Sequence, residues 1–298
     1  MNFFHLFTLI MALLSYSLAG YCQIITVTMG NSCSTDVYYE IKGQGKPMII
    51  LHRATSGYLE PIFEEQDGWK RIYIDPPGIG NSSANECIRN ADDCLKVILV
   101  AIDMLVPHEP FSLIGFSYFG YMARGIQAKT PNRVNGMALI CPVVIPQNSG
   151  RTLPTHTKQF VDQEFYNRLP NDKKQQLENL VVKTPCSLQA VEKLKRDDVL
   201  MNVEFWNRIK LNGYSFSFDM DSVTFNNPAL VLLGLQDDVV GFTDALRLSQ
   251  AMPSASIVAL DFASHSLPYE QNHLMRIHIF EWLKRVRYQI EYNEKTTH

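Results

Sequence analysis

The chain has 298 residues, 46% of them hydrophobic and 19% charged, with a formal net charge of −3. This is a globular composition with ample apolar material for a core, in one large domain or two ordinary ones. Lys and Arg are spread along it without a basic stripe, so nucleic acid is not expected as a partner.

The first segment, residues 1–22, stands apart. Phe3 to Ala19 is almost wholly apolar, and Ser17 and Ala19 are small residues placed as at a leader cleavage site. It reads as signal-like or anchor-like, although its start carries His5 and no Lys or Arg, and it is short for a membrane span. The expectation is export, or membrane association through this segment alone if it is retained. Without leader function it is an upstream extension of a cytoplasmic protein.

Beyond it, Ile25–Thr28 and Asp36–Ile41 are rich in strand formers, and a Lys-Gly-Gln-Gly-Lys-Pro turn leads into the apolar run Met48–His52. Arg71–Asp75 is a further strand, ended by Pro76-Pro77-Gly78. Asp92–Leu105 has helical apolar spacing and opens on acids that suit the helix dipole. Phe111–Phe116 reads as a strand, Tyr118 to about Lys129 as a helix, and Val134–Cys141 as a strand. Pro228–Gln236 and Ser256–Asp261 are two more strands, with helical runs over Thr243–Met252 and Leu267–Tyr288. Short continuous apolar strands alternating with helices imply crossover units. The predicted fold class is therefore α/β: a mostly parallel central sheet with helices on both faces.

One stretch interrupts the alternation. From about Pro146 to Asn227 no sheet strand is evident, and Gln159–Leu169, Lys173–Val182 and Leu188–Lys210 have helical spacing. An inserted helical cap over 146–225 is expected to cover the carboxyl edge of a core formed by 23–145 and 226–290. A separate domain with its own core is the other reading of this segment. Its aromatic residues Phe160, Phe165, Tyr166, Phe205, Trp206 and Tyr214 either line an apolar pocket or form the cap's own core.

The chemistry lies at three strand ends. Gly115-Phe116-Ser117-Tyr118-Phe119-Gly120 follows an apolar strand and opens a helix, which puts Ser117 on a tight strand-to-helix turn. Gly115 permits the close approach such a turn needs. A serine hydroxyl needs a neighbouring base, and that base a carboxylate to hold its tautomer. Asp237 and Asp238 both follow the strand PALVLLG, with Asp237 nearer the sheet edge and preferred; His265 follows SIVALD. His273 and His278 lie within the last helix, and His108 and His156 in loops, all weaker candidates. Cys22, Cys33, Cys87, Cys94, Cys141 and Cys186 form no CxxC pair and no Cys/His cluster with zinc spacing. Mostly free thiols are expected, with one or two bridges if the protein is exported. No metal and no cofactor is expected.

These residues carry a resemblance. From about 25 to 287 the chain is similar to the α/β-hydrolase superfamily, most closely in RIYIDPPGIGNS, GFSYFGYMARG, ICPVVIP followed by RTLP, and PALVLLGLQDDVVGFTDALRLSQ with ALDFASHSLPYEQ. These stretches are especially similar to small bacterial α/β hydrolases of uncharacterised substrate. The resemblance implies a nucleophile at Ser117, an acid at Asp237, a base at His265, and an oxyanion hole from the backbone N–H of Tyr118 and of Arg53 or Ala54. The chain departs from the superfamily in having Arg53, Phe119 and Ser264 where glycines are usual. Arg53 either distorts the oxyanion loop or sets a cation at the mouth that selects acidic substrates, and Phe119 must pack between helix and sheet. The expected function is hydrolysis of an ester, amide or related acyl bond of a small molecule. A weakly active or inactive ligand-binding protein on the same scaffold is the alternative, and a cofactor-free oxidase or lyase using the same three residues is a third reading.

Overall fold

The computed structural model describes residues 21–30, 33–155 and 159–296. The signal-like segment therefore lies outside the described residues, apart from positions 21 and 22. Among the described residues no helix is long and apolar enough to cross a membrane. In chain order the core begins with β1 (Tyr21–Met29), β2 (Cys33–Lys42), β3 (Lys46–Leu51), α1 (Ser56–Phe63), β4 (Trp69–Ile74), α2 (Ala91–Leu105), β5 (Phe111–Phe116), α3 (Tyr118–Lys129) and β6 (Val134–Ile140). The inserted segment holds β7 (Phe160–Val161), α4 (Gln163–Arg168), α5 (Asn171–Gln176), β8 (Val182–Lys183), α6 (Pro185–Leu194) and α7 (Val203–Gly213). The core resumes with β9 (Ala229–Gly234), α8 (Leu248–Ala251), β10 (Ala255–Leu260), α9 (Leu267–Glu270) and α10 (Asn272–Thr296).

Eight strands form the central sheet in the order β1-β2-β4-β3-β5-β6-β9-β10. Pairs β1–β2 and β2–β4 are antiparallel, and every other neighbouring pair is parallel. The inner strands are buried on both faces, which is why they read as continuous apolar runs. The two-residue alternation still sorts them. Ile49, Leu51, Leu113, Val231 and Leu233 face the apolar sides of α2 and α3. Met48, Ile50, Ile114, Leu230 and Leu232 face α1 and α10. Asn90 caps α2 by accepting from the Asp93 N–H at 2.9 Å, with Asp92 and Asp93 in the first turn.

The inserted segment carries its own small sheet, β7 beside β8, in addition to the expected helices. Its first half has a separate apolar cluster, Leu177, Leu180, Leu188 and Val191, packed by Phe165 and Tyr166. Phe205 and Trp206 of α7 belong instead to the main core. The single helical run expected over Leu188–Lys210 is two helices. Between them the backbone leaves helical geometry to pair with the Gly78–Gly80 loop: the Gly80 N–H donates to Leu200 O (2.6 Å) and the Asn202 N–H to Gly78 O (2.8 Å). The last helix also divides, at Gln271, whose side chain donates to the carbonyls of Asp261 and Phe262 at 3.1 and 3.2 Å.

Among the described cysteines one pair is bridged. Cys33 and Cys87 form a disulfide with Cα atoms 5.8 Å apart, tying the start of β2 to the loop before α2. Cys94 and Cys141 are free and buried, and Cys186 is free and exposed.

Candidate active site

Strands β5, β9 and β10 run parallel, so their carboxyl ends share one edge of the sheet, and the loops there carry Ser117, Asp237 and His265. Ser117 occupies a left-handed backbone conformation, φ 55° and ψ −125°, between β5 and α3. Such strain persists only where the surroundings over-determine it. Here the Ser117 N–H donates to Ile140 O at 2.9 Å, while Ser117 O accepts from Gly120 and Val143 at 3.0 Å each. Gly115 is required because a Cβ there would lie 2.3 Å from Phe119 O.

His265 Nε2 lies 2.9 Å from Ser117 Oγ, and His265 Nδ1 lies 2.8 Å from Asp237 Oδ2. Asp237 is buried, and its other oxygen accepts from the N–H groups of Val239 (3.0 Å) and Val240 (2.9 Å). With the Nδ1 proton directed at Asp237, Nε2 presents its lone pair to the Ser117 hydroxyl. Asp238 is exposed beside this arrangement, so it is Asp237 that meets the imidazole. A Cβ on Gly234 would sit 2.5 Å from the carbonyl oxygens of Ala263 and Ser264, so glycine there lets the His265 loop close onto β9. His273 and His278 lie on α10, His108 is exposed in a loop, and His156 falls outside the described residues.

Around this chain of three residues are groups the sequence did not single out. Glu270 is half-buried beside the site; its carboxylate accepts from the Ser264 N–H at 2.6 Å, from Ser264 Oγ, and from the Val181 N–H of the inserted segment at 2.5 Å. Burial raises the Glu270 pKa, and those donors oppose the rise. Cys141 Sγ comes within 4.8 Å of ligand atoms of Asp237 and His265. Burial, reinforced by the charge of Asp237, pushes the thiol well up, so it stays protonated beside Asp237.

On the opposite side, His52 ends β3 in a left-handed conformation, φ 80°. The Arg53 N–H donates to Asp75 Oδ1 at 3.1 Å, which leaves Ala54 as the candidate oxyanion donor from this loop. Tyr118 occupies the first position of α3, where a helix offers its N–H no acceptor. The Arg53 side chain is not at the mouth. It folds back, buried, with Nε on Asp75 (3.2 Å), one terminal nitrogen on Asp198 (2.9 Å), and its plane over Tyr38. Phe119 packs against the ring of His52 (5.2 Å) and Trp206 of α7 (5.8 Å).

A cavity of about 570 Å³ opens on Ser117, with Val143, Arg151, Lys210, Tyr214 and Val240 among its walls. A second, of about 490 Å³, opens on His265 and is walled by Ser264, Ser266, Asp238 and Glu178. Of the six cap aromatics named from the sequence, Tyr214 alone lines the first cavity, stacked on Tyr118 at 3.9 Å.

The sequence model of the family described as serine aminopeptidase, S33, matches residues 55–272, from the turn before α1 to the first residue of α10. The chain belongs to this family of α/β hydrolases. The hydrolase is similar to RutD of Agrobacterium fabrum, assigned as a carbamate hydrolase, at 22% identity over 83% of this chain and 98% of that protein. Among solved structures it resembles an α/β superfamily hydrolase from Oenococcus oeni PSU-1 (TM-score 0.70, 24% identity, 84% of this chain and 96% of that one). A thermophilic esterase from Thermogutta terrifontis also shares its fold (TM-score 0.64, 20% identity, 89% of this chain and 99% of that one).

Proposed function

We propose that this hydrolase cleaves an ester, amide or related acyl bond of a small molecule through an acyl-enzyme, with Ser117, His265 and Asp237 as its catalytic triad. The observation that carries this reading is the continuous hydrogen-bonded line from Ser117 Oγ through the imidazole to Asp237, at 2.9 and 2.8 Å. Ser117 Oγ attacks the carbonyl carbon as His265 Nε2 takes its proton. Asp237 stabilises the imidazolium, and the N–H groups of Tyr118 and Ala54 receive the oxyanion. His265 then passes the proton to the leaving atom as the carbon–heteroatom bond breaks. Water, deprotonated by His265, cleaves the acyl-enzyme and returns Ser117 to its starting state. Each step uses protein groups and water alone. The segment 146–225 acts as a cap: Trp206 and Tyr214 lie on Tyr118 beside the nucleophile. The S33 family, a carbamate hydrolase and an esterase are all consistent with acyl-bond hydrolysis.

The test is labelling of the purified protein with a fluorophosphonate, mapped by mass spectrometry, beside Ser117→Ala and His265→Ala. Ser117 is expected to take the label, and each variant to stay folded and lose on the order of 10⁴-fold or more in turnover. Normal turnover by Ser117→Ala would sink the assignment. A folded protein that takes no label and turns over no ester or amide would be a ligand-binding member of the family.

A further inference from the structure

The cation that the sequence placed at position 53 is spent on Asp75 and Asp198, but the cavity above Ser117 has cations of its own. Arg151 is one. Its guanidinium is fixed by three backbone carbonyls, with Nε on Ile145 O and the two terminal nitrogens on Val239 O and Pro146 O, each at 2.8 Å. These bonds orient the side chain without neutralising it, and they leave two of its five N–H donors unspent. Among the described residues no carboxylate forms an ion pair with it. Asp237 attracts it at longer range, but both Asp237 oxygens are already committed to His265, Val239 and Val240. Lys210, in the last turn of α7, is the second cation of this wall and is likewise in no ion pair among the described residues. None of the described residues lining this cavity is acidic, and Asn148 and Asn212 add amide donors.

The two cavities divide the substrate. After attack the acyl carbon is held on Ser117 Oγ, whereas the leaving atom takes its proton from His265 Nε2 and departs on that side. The cationic cavity is lined by Ser117 and not by His265, so it is the acyl side; the cavity lined by His265 and not by Ser117 is the leaving-group side. We propose that the acyl pocket selects a carboxylate-bearing acyl group, as in the monoester or monoamide of a dicarboxylic acid, with the free carboxylate held by Arg151 and Lys210. This rests on the serine-hydrolase reading and adds to it the chemical class of substrate. A carboxylate in this pocket gains charge-assisted hydrogen bonds from a guanidinium that is already fixed, so little side-chain entropy is lost on binding.

The experiment compares kcat/KM for the para-nitrophenyl hemiester of glutaric acid and the para-nitrophenyl ester of pentanoic acid, with Ser117 labelling by fluorophosphonate followed alongside. The hemiester is expected to be preferred by about tenfold or more, the worth of one charge-assisted hydrogen bond. In Lys210→Glu and Arg151→Gln the ratio of the two constants should fall by at least about fivefold. Arg151 also holds three carbonyls of the pocket wall, so its variant is read only if its melting temperature and labelling rate are preserved; Lys210 is exposed, and Lys210→Glu tests the charge without that complication. Efficient labelling of Ser117 with the neutral ester cleaved as well as the hemiester, or a ratio unmoved in Lys210→Glu, would overturn the inference and leave the serine-hydrolase reading standing. Absence of both labelling and turnover would remove that reading and the inference together.

Discussion

At the residue scale, the loop after β3 shows how a departure from a family pattern is absorbed. Where a glycine is usual, Arg53 turns its side chain into the protein, and buried Asp75 accepts from both its backbone N–H and its Nε. The neighbouring His52 is then held between burial and a cation. Burial first, and the Arg53 charge second, lower its pKa from 6.5 to about 4. The folded state keeps this imidazole neutral while the unfolded chain protonates it below about pH 6.5. The unfolded state therefore binds more protons between about pH 6.5 and 4, and stability falls as the pH drops through that window, by at most about 3 kcal/mol from this group. His52→Asn should flatten the part of the acid-side loss that His52 contributes, read as urea midpoints at pH 7.5 and 4.5; an unchanged slope would refute the assignment. The three residues at the strand ends were legible in the sequence because each follows an apolar strand and the chain order matches the chemistry. Cys141 and Arg151 were not: the first sits beside Asp237 only because β6 ends there, and the second is oriented by carbonyls from residues 145, 146 and 239.

At the element scale, the His265 loop and the inserted segment are held by one side chain. Glu270 of α9 accepts from Ser264 on one side and from Val181, just before β8, on the other. Ser264 stands where the family usually has glycine, and its hydroxyl adds to this clamp. Glu270→Ala leaves two buried N–H donors without an acceptor and should cost about 2–4 kcal/mol. If the clamp sets the imidazole's position, kcat should fall more than KM rises, and Glu270→Gln, which keeps an acceptor oxygen, should recover part of both losses. Steady-state rates with thermal unfolding of the two variants measure this; equal, purely thermal effects would mean that Glu270 only supports the fold. The helix break at 195–202 belongs to the same scale. Residues 188–210 have helical spacing throughout, yet backbone pairing of 200–202 with Gly78 and Gly80 competes successfully with helix hydrogen bonds. Local spacing does not report a partner more than a hundred residues away.

At the scale of the whole molecule, the Cys33–Cys87 bridge closes a loop, with a sequence separation of 54, that contains β2, β3, α1 and β4. In the chain-entropy account a loop of that size is worth about 4 kcal/mol. Reduction under mild conditions, or Cys33→Ser with Cys87→Ser, should lower the melting temperature without removing the label from Ser117. No change in melting temperature would mean that the bridge does not form in solution. By itself the sequence determined the parallel α/β core, because strands covered on both faces must be continuously apolar and helices on either side must carry one apolar stripe. It also placed Ser117, Asp237 and His265 after strands whose ends share one edge of the sheet. The tertiary structure decided the charge of the cavity over Ser117, the ties between core and insert, and which side chains lie away from the site. Those properties depend on groups brought together across the fold, and neither periodicity nor spacing along the chain encodes that distance.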